Sequence, residues 1–294
     1  MNKKTAARAL AFSIDQQYVM PLEVLFDSLV RTNSVPEHTP IFILHGQSLT
    51  ETAQNQLQAF INTRRHSVSF VLVDDSLLSD TILEAGDHVS VATYFRLFLA
   101  SLLPNWVDEV LYLDADMLVV QSIQELFEIP IHQALAAVDH FSPPMSIALW
   151  GAQGGDYFQA GVLLINLRLW REKNLQERFL HTLKTEKQRI RFWDQCVLNY
   201  SLEGQWGRLP LYYNVCYGTL PLVDNHTSIK ILHYDGKGKP WGEGYFRKLA
   251  SHWHKAYIKA FGKPFAPGWS LSFWKKALLF YIRVERGIKL AFWR

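Results

Sequence analysis

At 294 residues, 49% of them apolar and 19% charged, the chain can bury a sizeable core and is too apolar for broad disorder. A formal charge of +3 is too small to mark a nucleic-acid binder, and a cysteine count of two (Cys196, Cys216) argues against a disulfide framework and for a reducing compartment. Lys3, Lys4 and Arg8 precede only the short apolar run from Ala9 to Phe12, below the ~7 to 15 residues of a secretory leader, and no stretch reaches the ~20 apolar residues of a spanning helix.

Ala9 to Ile14 reads as a first strand, and Asp15 to Tyr18 as the loop leaving its carboxyl end. A helix is expected from Pro21 through Leu22, Leu25, Leu29 and Val30, then strands at Ile41 to Leu44 and Val68 to Val73 around a helical pattern carrying Leu57, Phe60 and Ile61. This alternation predicts a parallel sheet with helices on its faces, whose ligands sit beyond the carboxyl ends of the strands. Thr93 to Leu99 has helical apolar spacing and one cation, Arg96, placed to reach a phosphate or a partner carboxylate.

Leu111 to Val120 reads as a buried strand interrupted by Asp114 and Asp116. Unpaired charges are too costly inside a strand, so the pair is expected at a working edge, with both side chains on one side of extended backbone, where a divalent cation would find oxygen ligands. Ala134 to Val138 is a further strand ending in Asp139, Ser142 to Asp156 a Pro/Gly-rich loop, and Phe158 to Leu167 a strand in which Gly161 marks close backbone approach. Trp193 to Asn199 starts a helix with Asp194 and Gln195 at its electropositive end. The last strand signal, Ile229 to Tyr234, leads into Asp235 to Trp241, where two glycines and two lysines suit a phosphate. From Trp269 onward, Phe273, Ala277, Tyr281, Val284, Ile288 and Phe292 share a helical face, while the basic residues lie largely off it and give the tail a surplus of +5, the pattern of a helix on an anionic lipid surface.

Over residues 8 to 245 the chain resembles glycosyltransferase family 8, the retaining bacterial galactosyl- and glucosyltransferases of lipopolysaccharide and lipooligosaccharide core assembly. The resemblance rests on Asp15, Gln17 and Tyr18, on Thr93 to Leu97, on Leu-Tyr-Leu-Asp-Ala-Asp at 111 to 116, on Phe158 to Leu167, and on His233 to Trp241. It implies an α/β fold of GT-A type with a mostly parallel sheet, the transferase domain being taken as residues 1–262; the tail, taken as 263–294, is expected from its own basic amphipathic pattern to attach a cytoplasmic protein peripherally to the inner face of the bacterial membrane. The resemblance implies that Asp114, Asp116 and His233 bind Mn²⁺, with Mg²⁺ as the alternative ion. Asp15, Gln17, Tyr18, Arg96, Asp114, Ala115, Asp116, Gln159, Gly236 and Lys239 would hold a UDP-sugar. Asp139, Asp194 and Gln195 would serve the reacting sugar, with Gln195 near the anomeric carbon. The acceptor would be a glycan or glycolipid. Three positions depart from the family pattern: Gln159 and Gln17 stand where Asn is usual, and Cys196 where a second Asp is usual, which leaves the donor sugar open between glucose and galactose. Two other classes remain as rivals: an aspartyl-phosphate phosphatase of haloacid dehalogenase type, which also uses Asp-x-Asp after a strand, and a non-catalytic nucleotide-sugar binding protein.

Overall fold

The computed structural model describes residues 8–74, 78, 90–141, 143–151, 154–242, 244–245 and 247–266. The expected amphipathic face from Trp269 to Arg294 lies outside the described residues. A seven-stranded sheet forms the centre: β1 (Arg8–Ile14), β2 (Ile41–His45), β3 (Ser69–Leu72), β4 (Glu109–Leu113), β6 (Leu135–Asp139), β7 (Phe158–Asn166) and β8 (Gly207–Leu209), in the order β3-β2-β1-β4-β7-β6-β8. Only β7 runs against the others, so the sheet is mostly parallel, as expected.

Period-two alternation explains why these strands read as continuous apolar runs. Ala9, Ala11, Val110 and Tyr112 enter one buried cluster and Leu10, Phe12, Leu111 and Leu113 another, so both faces of the sheet are dry. Each fully buried large side chain, Phe12 for example, contributes roughly 1.5 to 3 kcal/mol. One face is covered by α1 (Val19–Arg31), through Leu22, Leu25, Phe26 and Leu29, and by α2 (Glu51–Asn62), whose amino end Thr50 caps by accepting a hydrogen bond from Ala53 N. The other face is covered by α3 (Leu99–Leu102), α5 (Leu167–Glu172), α6 (Leu175–Thr185) and α7 (Trp193–Leu202). A second, three-stranded sheet joins β5 (Met117–Val119), β10 (Ile231–His233) and β9 (Val215–Cys216), and packs on α8 (Ala250–Phe261) through Leu118, Leu232 and Trp253.

Three local expectations change. Leu111 to Val120 is two strands: β4 ends at Leu113, residues 114–116 turn, and β5 starts a different sheet. The acidic pair is where the chain leaves the central sheet, and the cost of burying its charge is offset by cations, Arg96 at Asp114 and Lys239 at Asp116. Ser142 to Asp156 contains a helix, α4 (Pro143–Trp150), opened by proline at its first position, where the missing N–H is no loss. Val91–Phe98 winds as a 3-10 helix, which aligns residues three apart and so stacks Thr93 under Arg96.

Candidate active site

All the predicted site segments meet at one edge of the central sheet. β1, β4 and β6 deliver Asp15, Asp114 and Asp139 at their carboxyl ends, and antiparallel β7 starts there, bringing Gln159 and Gly161 beside the acidic turn. Asp114 N donates to Gly161 O at 2.9 Å. His233 arrives by strand pairing: β10 lies antiparallel to β5 with His233 opposite Met117, and Tyr234 N donates to Asp116 O at 2.9 Å. Gly161 is required by this approach, because a Cβ there would lie 2.5 Å from His233 Cε1 and 2.7 Å from Met117 Cε.

Each carboxylate is held by a cation at one oxygen and turns the other toward His233. Arg96 Nη2 donates to Asp114 Oδ1 at 2.7 Å, and Lys239 Nζ donates to Asp116 Oδ2 at 2.5 Å. Asp114 Oδ2 and Asp116 Oδ1 are then left facing His233 Nε2, at 3.8 and 3.2 Å. One ligand atom from each of the three residues lies within 4.8 Å of the others. Two carboxylate oxygens and an imidazole nitrogen at that spacing form a donor set that fits a divalent cation.

The electrostatics follow from burial and these pairings. Burial alone would raise the Asp116 carboxyl, but Lys239 and His233 beside it hold it well below the usual carboxylate range. Burial lowers the Lys239 ammonium and the His233 imidazole, and Asp116 outweighs it at both, so both end above their ordinary values. Burial, then the nearby Asp116 charge, pushes the Tyr18 hydroxyl up to about 12. Arg96 is 3% exposed and lies 4.4 Å from the Tyr112 ring centroid; Asp114 and Asp194 raise its guanidinium above its ordinary value despite burial.

α7 is fastened to the start of β7 by Asn199, which accepts from Phe158 N at 2.8 Å and donates to Phe158 O at 2.9 Å. That docking sets Asp194 and Gln195. Asp194 Oδ1 accepts from Thr93 Oγ1 at 2.6 Å, while Oδ2 lies 2.9 Å from Arg96 Nε without an aligned N–H, because that N–H donates to Thr93 O. Burial pushes the Asp194 carboxyl up to about 6, with Arg96 pulling the other way. Gln195 Oε1 accepts from Ala160 N at 2.9 Å and its Nε2 donates to Tyr157 Oη at 3.2 Å.

The structure thus brings Arg96, Asp114, Asp116, Asp194, Lys239 and His233 into one connected set, with Gln195 adjoining through Ala160 and Gln159 through His233. Ala115 is buried inside the acidic turn, and Gly236 adopts the left-handed φ of +72° in the lysine loop. Tyr18 packs edge-on against Trp241 at 6.0 Å. Asp15 and the exposed Gln17 lie on the rim, where Asp15 Oδ1 accepts from Gln17 N. Asp139 is bound elsewhere: its Oδ2 accepts from Arg208 Nη1 at 2.6 Å, and Arg208 also grips Asp156 at 2.8 Å. Cys196, on α7, is fully buried with its thiol 3.3 Å from Tyr157 Oη, so it faces the core. Thr93 stands in the Thr93 to Leu97 segment but carries no role of its own in the sequence reading, and Tyr157 and Arg208 sit in no pattern that would mark them.

A mostly parallel sheet with an Asp-x-Asp turn at its carboxyl edge, closed by a histidine from a small second sheet, defines the GT-A class of transferase fold. The solved galactosyltransferase LgtC, in complex with donor and acceptor sugar analogues, superposes with a TM-score of 0.76 at 23% identity, over 87% of this chain and 97% of that one. The chain belongs to glycosyl transferase family 8, whose model matches residues 9–244. It is 27% identical over 258 residues to glycosyltransferase GlyF of Streptococcus pneumoniae serotype 4, covering 84% of this chain and 60% of that protein. It is also 29% identical over 250 residues to lipopolysaccharide 1,3-galactosyltransferase of Salmonella typhimurium, covering 79% of this chain and 72% of that protein. The chain therefore spans less than two thirds of the length of the pneumococcal relative.

Proposed function

We propose that this chain is a retaining hexosyltransferase that moves glucose or galactose from a UDP-sugar to a hydroxyl of a cell-surface glycan or glycolipid, the lipopolysaccharide core being the favoured acceptor. The observation that carries this reading is the pair of half-held carboxylates turned toward His233. Such a centre suits a cation that must also grip a diphosphate, and its imidazole favours Mn²⁺ over the harder Mg²⁺. When bound, the cation supplies charge neutralisation for departing UDP.

The chain's own residues do the rest. Lys239, fixed by Asp116 and by Tyr234 O, adds a positive charge beside the diphosphate position, and the Gly236 loop lets backbone approach it. Tyr18 and Asp15, on the rim, would receive the uracil and ribose. Arg96 locks Asp114 and, through Ala160 O, the strand that carries Gln159 and Gly161. Asp194 and Gln195, set by the β7 start, would face the sugar, and Asp139 would bound its pocket. The galactosyltransferase name of the Salmonella relative supports both the donor class and the acceptor class. Among the described residues no helix is long and apolar enough to cross a membrane, and we place the protein on the cytoplasmic membrane face through its basic tail.

The test is a screen of UDP-sugars for slow hydrolysis and transfer with Mn²⁺ present. Release of UDP from UDP-glucose or UDP-galactose, abolished by chelation, is expected. Fluoride-sensitive, Mg²⁺-dependent phosphatase activity without UDP binding would favour the dehalogenase-type rival, and tight UDP-Mn²⁺ binding with no turnover would favour a binding protein.

A further inference from the structure

The buried side of His233 has two partners that ask opposite things of it. Nδ1 lies 2.8 Å from Gln159 Nε2 and 2.9 Å from Asn214 Oδ1, and all three residues are under a tenth exposed. The orientation of both amides follows from one group that cannot flip. Gly161 N, a backbone donor, gives its hydrogen to Gln159 Oε1 at 2.8 Å, so Nε2 must be the end of Gln159 that faces the imidazole. Asn214 Nδ2 donates to that same Oε1, so Oδ1 must be the end of Asn214 that faces it. One donor and one acceptor therefore converge on a single ring nitrogen, which in a neutral imidazole carries either a lone pair or a hydrogen.

Each choice fixes what the other ring nitrogen does. If Nδ1 accepts from Gln159, the hydrogen sits on Nε2 and points to Asp116 Oδ1, 3.2 Å away, which closes the centre. If Nδ1 donates to Asn214, Nε2 presents a lone pair to the space between Asp114 and Asp116. We propose that Asn214 and Gln159 are opposed positioning residues: Asn214 selects the His233 tautomer that can ligate a cation, and Gln159 selects the tautomer that cannot. Outer-shell partners of ligating histidines commonly set ring tautomer and change metal affinity by roughly 10- to 100-fold; here two such partners pull in opposite directions. The inference rests on the reading of Asp114, Asp116 and His233 as a cation site.

The opposition gives variants of opposite sign, which a purely structural role would not. In metal-free protein labelled with ¹⁵N-histidine, at a pH where the ring is neutral, Asn214→Leu should move the His233 signals toward the Nε2–H form and Gln159→Met toward the Nδ1–H form. Mn²⁺ affinity measured by calorimetry without donor should fall by about 10-fold or more in Asn214→Leu and rise several-fold in Gln159→Met. Gln159→Glu, which keeps the acceptor for Gly161 and Asn214, should shift the tautomer in the same direction as Gln159→Met should the latter fold poorly. Equal weakening of Mn²⁺ binding by both substitutions at Asn214 and Gln159, or ring signals that do not move, would overturn the proposal. A wild-type protein that binds no Mn²⁺ would instead overturn the cation reading, with the ring signals still deciding the tautomer question.

Discussion

Replacing Asp194 by Asn should remove a pH dependence from the stability of the fold. In the wild type one oxygen of Asp194 is satisfied by Thr93 Oγ1, but the other has no aligned donor, and the side chain is buried. Burial raises its pKa from 3.8 to about 6. The fold thus prefers the neutral form: its favourable contribution is complete below about pH 4 and is lost as pH rises through about 6. The difference of about 2 units, at about 1.4 kcal/mol each, makes the ionised group cost on the order of 3 kcal/mol at pH 8. Asn keeps an oxygen for Thr93 and carries no charge, while its amide nitrogen takes the place of Oδ2 beside Arg96 Nε, a cost that is the same at every pH. Urea unfolding should show the stability of the wild type relative to Asp194→Asn falling by about 2 to 3 kcal/mol between pH 4 and pH 8, with an unchanged m-value. A gap between the two proteins that stays constant from pH 4 to pH 8 would mean that the Arg96 attraction offsets burial, and the reasoning would fail. An ionised carboxylate kept at net cost beside the cation centre is the kind of strain that functional sites carry.

Gly161→Ala should drive the imidazole away from the acidic turn, since the added methyl cannot share space with His233 Cε1 and Met117 Cε; a stability loss of about 1 to 3 kcal/mol and loss of Mn²⁺ binding are expected, by melting and calorimetry. Unchanged Mn²⁺ affinity would show that the close approach has no role in the site. Removing residues 269–294 should abolish binding to anionic phospholipid vesicles while leaving donor hydrolysis intact, and undiminished vesicle binding would take the membrane role away from the tail.

How much of this was legible in the sequence depends on how local each cause is. β1, β2, β4 and α1 follow from apolar spacing within a dozen residues, and they were readable. Residues 114–116 read as extended backbone because an apolar run continues on both sides of them, and only pairing with different sheets, β4 with β7 and β5 with β10, reveals the break. The acidic pair and the lysine loop were recognisable as motifs. Their junction was reachable only through resemblance, because it depends on β10 pairing with β5 across more than a hundred residues. Arg96 was expected to meet a phosphate or a carboxylate, and the fold gives it carboxylates, Asp114 and Asp194. Asn214 carried no signal at all: a single Asn before a short strand becomes informative only when His233 Nδ1 is found against it.

The central claim is that a cation gathered by Asp114, Asp116 and His233 carries the nucleotide's diphosphate. Calorimetric titration of UDP into wild type and Asp116→Asn, each with Mn²⁺ and with a chelator, tests it most directly, with melting curves to establish that the variant is folded. Binding of UDP that needs Mn²⁺ in the wild type and is lost in the variant is the predicted result. UDP binding indifferent to the chelator, or full Mn²⁺-dependent binding by folded Asp116→Asn, would contradict it.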